Sequence, residues 1–179
     1  ILCDCNLADL SIDLKHFEQI LEKEKPKALI LVSVLGLIPQ MDKIVDLCEK
    51  HNVILLEDAC ESLGSEFNNK KLGSFGLMSS FSSYFGHHIS TIEGGMICTD
   101  DRELFNILKS LRTHGWDRDM DLDYRSKIRK KYNVSEFEAL YKFYYYGFNV
   151  RSTDLQAFIG IGQLDKLNYI IEKRNKNYS

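Results

Sequence analysis

Residues 27–58 read KALILVSVLGLIPQMDKIVDLCEKHNVILLED. Two short apolar runs, KALILVSV from Lys27 and VILLED from Val53, bracket a segment with a different period. Between them Met41, Ile44, Val45 and Cys48 recur at helical spacing. Pro39 stands where the first turn of a helix tolerates a missing N–H, and Asn52 is placed to end that helix. Strand, helix, strand with short connections is the βαβ unit of a parallel sheet covered on both faces. The expectation is an α/β fold.

The flanks extend this unit. Upstream, DLKHFEQILEK (13–23) sets Leu14, Phe17, Ile20 and Leu21 on one helical face, and the opening ILCDCN reads as a strand. Downstream, NNKKLG marks a turn, and MSSFSSYF and GGMICT read as two strands on either side of a loop holding His87 and His88. DRELFNILKSLRTHG predicts a helix capped by Asp100 or Asp101, with Leu104, Ile107, Leu108 and Leu111 inward and Gly115 as its stop. Residues 117–136 are polar and mixed in charge, which predicts a surface excursion. YKFYYYGFNVR (141–151) is dense in aromatics, and residues 154–178 predict one long helix capped by Thr153 or Asp154. The chain opens inside a strand pattern and stops inside a helical one, so it is expected to be a piece of a larger protein.

The 179 residues are 44% hydrophobic and 27% charged, enough to bury a core. A net charge of −3 leaves no electrostatic footprint for nucleic acid or a membrane surface. No apolar run reaches the roughly 18 residues of a membrane span. The five cysteines are an odd number in a chain that needs no staples, so reduced thiols and a cytoplasmic setting are expected.

Several residues can carry chemistry. Asp58 follows VILLE, at the carboxyl end of a predicted strand, where open α/β sheets bind ligands. Its carboxylate suits a cationic ligand group or Mg²⁺; a turn or helix cap is the structural alternative. Glu61 lies three residues on and shares that cleft if Asp58 begins a helical turn. Ser80 and Ser82 lie on one face of a strand, as a phosphate-contact pair or as a polar strand face. His87 and His88 diverge in direction and have no CxxC or HxxxH beside them, so a metal site is not expected. A loop histidine and a general acid–base both remain open for His87, because imidazole moves protons near neutral pH.

The ordered segments LLEDACESLGSEFNNKKLGSFGLMSSFSSYFGHHISTIEGGMICTDDRELFNILKSLRTHGW and YYGFNVRSTDLQAFIGIGQLDKL together resemble the DegT/DnrJ/EryC1/StrS sugar aminotransferases. The resemblance implies the central part of the large domain of the aspartate-aminotransferase fold (fold type I), with the N-terminal segment and the C-terminal small domain lying outside this chain. It implies pyridoxal 5'-phosphate or pyridoxamine 5'-phosphate as cofactor. By the same resemblance Asp58 pairs with the pyridine nitrogen, Ser82 contacts the cofactor phosphate, and Asn149 reaches that phosphate across a homodimer interface. Glu61 stands where aminotransferases commonly carry Gln, and it is expected to bond the cofactor ring. His87 occupies the position of the lysine that ties the cofactor covalently in aminotransferases. The branch with this replacement consists of sugar 3-dehydratases.

The implied substrate is a nucleotide-linked 4-keto-6-deoxy sugar of the GDP-4-keto-6-deoxymannose type, with glutamate as amino donor, in deoxysugar and lipopolysaccharide biosynthesis. An iron–sulfur cluster, used by a related branch, needs four grouped thiolates, and the cysteines here are not so grouped. The alternatives are a sugar aminotransferase and a non-catalytic sugar-nucleotide-binding member.

Overall fold

The computed structural model describes residues 1–178, which form two compact units. The first contains residues 1–98 and the two C-terminal helices; the second is Thr99–Thr153.

The first unit is built on a four-stranded sheet. β1 (Ala28–Val32) lies parallel to β2 (Ile54–Asp58), β2 lies parallel to β5 (Met78–Ser82), and β6 (Gly95–Cys98) closes the edge antiparallel to β5. Before β1 comes α1 (Leu14–Glu24), and between β1 and β2 comes α2 (Met41–Lys50). Asp13 caps α1 by accepting from the Lys15 and His16 amides. Phe17 and Leu21 of α1 and Met41, Ile44 and Cys48 of α2 bury themselves with Leu31 of β1 and Leu55 of β2. These strand residues alternate with Ile30, Val32 and Ile54, which stay exposed on the opposite face. Asp58 belongs to that second face.

β3 (Glu66–Phe67) and β4 (Lys70–Lys71) form a hairpin. Its two-residue turn, Asn68–Asn69, has both φ angles positive, at 50° and 62°. Asparagine tolerates that conformation, which matches the twist of the strands it joins.

Several expectations are corrected. The opening ILCDCN is not a strand: its only sheet-like pairing is a single bridge from Cys5 to Ile12, since no neighbouring strand is at hand. Pro39 precedes the helix it was expected to open, because Gln40 occupies the cap and Met41 is the first helical residue. The C-terminal stretch is two helices, α5 (Asp154–Leu164) and α6 (Leu167–Tyr178). The Lys166 amide bonds back to Gln163, an i→i−3 contact that interrupts the α-helical ladder between them.

In the second unit, α3 (Arg102–Leu111) is capped by Asp101, which accepts from the Glu103 and Leu104 amides. Its fully buried positions are Asn106 and Ser110, while the expected inward leucines are half-buried. Asn106 is buried because its amide clips the start of α4 (Leu122–Lys131): it accepts from the Asp121 N–H at 2.7 Å and donates to the Asp121 carboxylate at 3.2 Å. The expected surface excursion therefore contains a helix and a buried charge. Asp117 is fully buried and takes a hydrogen bond from Arg129 Nε at 2.6 Å. That bond raises the Arg129 guanidinium further above its ordinary range, so it stays charged.

Candidate active site

Asp58 ends β2, and its strand neighbours define what surrounds it. Register places it opposite Val32 on one side and Ser80 on the other. Its Oδ1 accepts from the Cys60 amide at 3.1 Å and from the Ser80 hydroxyl at 3.4 Å. Oδ2 accepts neither of these bonds. The residue is thus a turn aspartate through one oxygen and an open acceptor through the other. Cys60 sits 3.8 Å from the Ser80 hydroxyl, and burial, followed by the Asp58 carboxylate, raises its thiol pKa. It stays protonated and acts as packing.

The preceding residue has the opposite task. Glu57 points to the buried face, where Oε1 accepts from the Phe75 and Gly76 amides and Oε2 from the Gly73 amide, at 2.6–2.7 Å. It fastens the 73–76 loop beneath the sheet. Period-two alternation separates these adjacent carboxylates into a structural one and an open one.

Beyond Asp58 the chain turns through an Ala59–Ser62 hydrogen bond of 3.1 Å. This turn lets Glu61 reach back to the loop after β1, where Oε2 accepts from the Leu35 amide at 2.6 Å. Leu35 holds a left-handed φ of 55° there. Ser82 ends β5 on the same face as Ser80. Its oxygen accepts from the Tyr84 amide at 3.2 Å, which leaves the hydroxyl proton available to a ligand acceptor.

The histidine loop is a continuation of the β5–β6 hairpin. Main-chain bonds from Ser83 to Gly94, Thr91 to Ser83 and Phe85 to Ile92 narrow it, and the Ser83 and Thr91 hydroxyls meet at 2.6 Å. The glycine pair is required by this narrowness. A Cβ on Gly94 would lie 2.6 Å from both hydroxyls, and one on Gly95 would lie 2.8 Å from the Phe81 carbonyl. Ile92 adopts φ 74°, a costly conformation for a β-branched residue.

At the tip, the His87 amide bonds the Tyr84 carbonyl at 3.1 Å, and its half-buried imidazole faces the Tyr84 ring edge-on at 6.0 Å. That imidazole makes no hydrogen bond to a described residue. His88 points differently: its Nδ1 is buried without a partner. Burial first, then the nearby Arg174 and His87, lowers its pKa against an opposing effect of Glu61. Among the described residues no three His, Cys, Asp or Glu side chains come together as a metal cluster.

Asn149 belongs to the second unit, where a bridge to Thr113 holds its backbone and its side chain is exposed. Asp58, Glu61, Ser82 and His87 all belong to the first unit, on the strand ends and connections of one sheet. Ser80 is the functional neighbour that sequence reasoning did not carry forward; its link to Asp58 follows from strand register, which leaves no local signal.

The chemistry available is specific. An anchored carboxylate with one open oxygen suits a cationic N–H, and a hydroxyl with a free proton suits an anionic oxygen. An unbonded imidazole suits proton transfer. These features fit a protonated pyridine ring bearing a phosphate.

The family model described as "DegT/DnrJ/EryC1/StrS aminotransferase family" matches residues 1–179. GDP-4-keto-6-deoxy-D-mannose 3-dehydratase of Yersinia pseudotuberculosis is 42% identical over 174 residues, covering 97% of this chain and 44% of that protein. A crystal structure of GDP-4-keto-6-deoxymannose-3-dehydratase with a trapped PLP-glutamate geminal diamine superimposes with a TM-score of 0.78 at 37% identity, covering 93% of this chain and 42% of that one. UDP-4-amino-4,6-dideoxy-N-acetyl-beta-L-altrosamine transaminase of Helicobacter pylori is 32% identical over 168 residues, covering 94% of this chain and 40% of that protein. The chain spans less than half the length of these relatives.

Proposed function

The chain belongs to the DegT/DnrJ/EryC1/StrS aminotransferase family, and on that premise we propose that its protein is a nucleotide-sugar 3-dehydratase dependent on pyridoxal or pyridoxamine phosphate. The substrate is a 4-keto-6-deoxyhexose of the GDP-4-keto-6-deoxymannose type, and the reaction removes its C3 hydroxyl. One observation carries the reading: the loop after β5 presents an unbonded imidazole, His87, in place of an amine. The named 3-dehydratase relatives, at up to 42% identity, support it.

When bound, the cofactor supplies a cationic ring that accepts electron density from the reacting carbon. Asp58 keeps the ring nitrogen protonated through Oδ2, while Cys60 and Ser80 hold Oδ1 still. Ser82 donates its hydroxyl proton to the phosphate. Glu61, steadied by the Leu35 amide, borders the ring. His87 would take the proton that the reacting carbon loses and deliver it to the C3 oxygen, which leaves as water with the electron pair of the broken C3–oxygen bond. Having no amine, it cannot tie the cofactor covalently as a lysine does, which favours elimination over amine transfer. Glutamate restores the amino form of the cofactor.

Asn149 serves the site of a second copy in a homodimer. Its exposed position supports this, as does the exposed aromatic run in which Tyr141, Phe143, Tyr146 and Phe148 leave large apolar surface open. The chain supplies the middle of the large domain. The free thiols of all five cysteines support a cytoplasmic setting; among the described residues no helix is long and apolar enough to cross a membrane.

The test incubates the full-length protein with pyridoxal phosphate, glutamate and GDP-4-keto-6-deoxymannose and reads the sugar by mass. A 3-deoxy sugar supports the proposal. A 4-amino sugar makes the protein an aminotransferase, and no turnover with no cofactor spectrum makes it a binding protein.

A further inference from the structure

α5 seats itself on the first unit by its less apolar side. Its half-buried residues are Gln156, Ile159, Gly160 and Gln163, which fall on one stripe of the helix. Leu155, Phe158, Ile161 and Leu164 stay between 55% and 76% exposed. Burial of apolar area alone would turn the helix the other way. The seated stripe makes a specific contact instead: Gln156 Nε2 donates to the Glu93 carbonyl at 2.6 Å.

That carbonyl lies in the neck of the hairpin that carries His87. It also accepts from the Thr91 hydroxyl at 3.1 Å, and Thr91 meets the Ser83 hydroxyl across the neck at 2.6 Å. One helical turn beyond Gln156, Gly160 lies over the same threonine, where a Cβ would stand 3.1 Å from Thr91 Cγ2. A Cβ on the exposed Gly162 would meet nothing within 4 Å. Of the two helical glycines, only Gly160 is needed for the close approach. α6 adds a second hold. Its Ile171 side chain fills the space beside Gly64, in the turn region that begins with Glu61, and leaves no room there for a Cβ. Arg174 of α6 lies near His88, the neighbour of His87.

We propose that Gln156 is a positioning residue for His87. It ties the neck of the histidine hairpin to α5, so that the imidazole at the tip keeps the place that proton transfer requires. A displacement of about 1 Å at a reacting group can cost roughly a hundredfold in rate, so an anchor outside the site can govern turnover. The role in dehydration rests on the function proposed above, whereas the tie itself rests on the contacts between α5 and the hairpin.

The test compares Gln156→Met, Gly160→Ala and Gly162→Ala in the full-length protein. Methionine keeps the length of the side chain and removes the donor. In the cofactor-free protein the Phe85 and Thr91 amides, whose bonds cross the neck, should exchange hydrogen roughly three- to tenfold faster in Gln156→Met. Gly160→Ala should quicken the same amides, and Gly162→Ala should leave them unchanged. With cofactor, glutamate and GDP-4-keto-6-deoxymannose, Gln156→Met should lower kcat about tenfold at an unchanged KM, while Gly162→Ala matches the parent. A glutamine that serves stability alone would lower the Tm and leave kcat of the folded enzyme at the parent value, and that result overturns the proposal. So does unchanged exchange at Phe85 and Thr91 in Gln156→Met. If the parent itself forms no 3-deoxy sugar, the dehydratase reading falls, and the exchange rates still decide whether α5 holds the hairpin.

Discussion

Replacing Glu57 by Gln tests the division of labour between the two adjacent carboxylates. Glu57 is 3% exposed and accepts three amide N–H bonds, from Gly73, Phe75 and Gly76. A glutamine keeps the two that converge on one oxygen. Its NH₂ then faces the Gly73 amide, so one charge-assisted bond is lost and two donors confront each other. Loss of such a bond costs about 1.5–3 kcal/mol, and a buried donor left unpaired costs about 1–3 kcal/mol. The two overlap, so the expected destabilisation is about 2–4 kcal/mol. Urea denaturation followed by circular dichroism reads it as a lower midpoint with unchanged slope. The Gly73, Phe75 and Gly76 amides should also exchange hydrogen faster. An unfolding free energy within about 0.5 kcal/mol of the parent would show that Glu57 does not fasten the loop.

Asp58→Asn should leave the fold intact, because an amide oxygen still accepts from Cys60, while turnover falls about a hundredfold or more; an active variant would remove Asp58 from the cofactor site. His87→Lys should form a covalent cofactor adduct, seen by mass after borohydride reduction, and dehydration should fall by about 10²-fold or more. Equal dehydration by parent and variant would refute the assignment of His87. Gly94→Ala should destabilise by about 1–3 kcal/mol in a thermal melt, since its Cβ meets the Ser83 and Thr91 hydroxyls; a neutral result would mean the hairpin yields freely. His88 has a folded-state pKa below its ordinary value, so the unfolded chain binds more protons as pH falls through about 6.5. Stability from this residue is present above that pH and is lost below it. His88→Gln should flatten that slope, and an unchanged slope would count against it.

Sequence periodicity made the βαβ unit legible, because Leu31, Ile44 and Leu55 bury one face whatever else surrounds them. It also located Asp58, since a strand's carboxyl end is a local feature. What Asp58 touches was not legible: Ser80 reaches it through the register of a strand about twenty residues away. The 117–136 segment misled because charge usually means solvent. Asp117 is buried only because Arg129, twelve residues on, is there to pair with it. α5 and α6 merge in the sequence because no proline divides them. The resemblance singled out His87 over His88, and their surroundings add that His87 is an unbonded imidazole while His88 has a buried Nδ1.

Cleavage of the C3–oxygen bond is the central claim, and it can be followed by placing ¹⁸O at C3 of GDP-4-keto-6-deoxymannose. With the full-length protein, cofactor and glutamate, the label should pass into water with each turnover, and His87→Asn should slow its release by about a hundredfold or more. If the sugar is converted while the label stays at C3, the protein is not a 3-dehydratase.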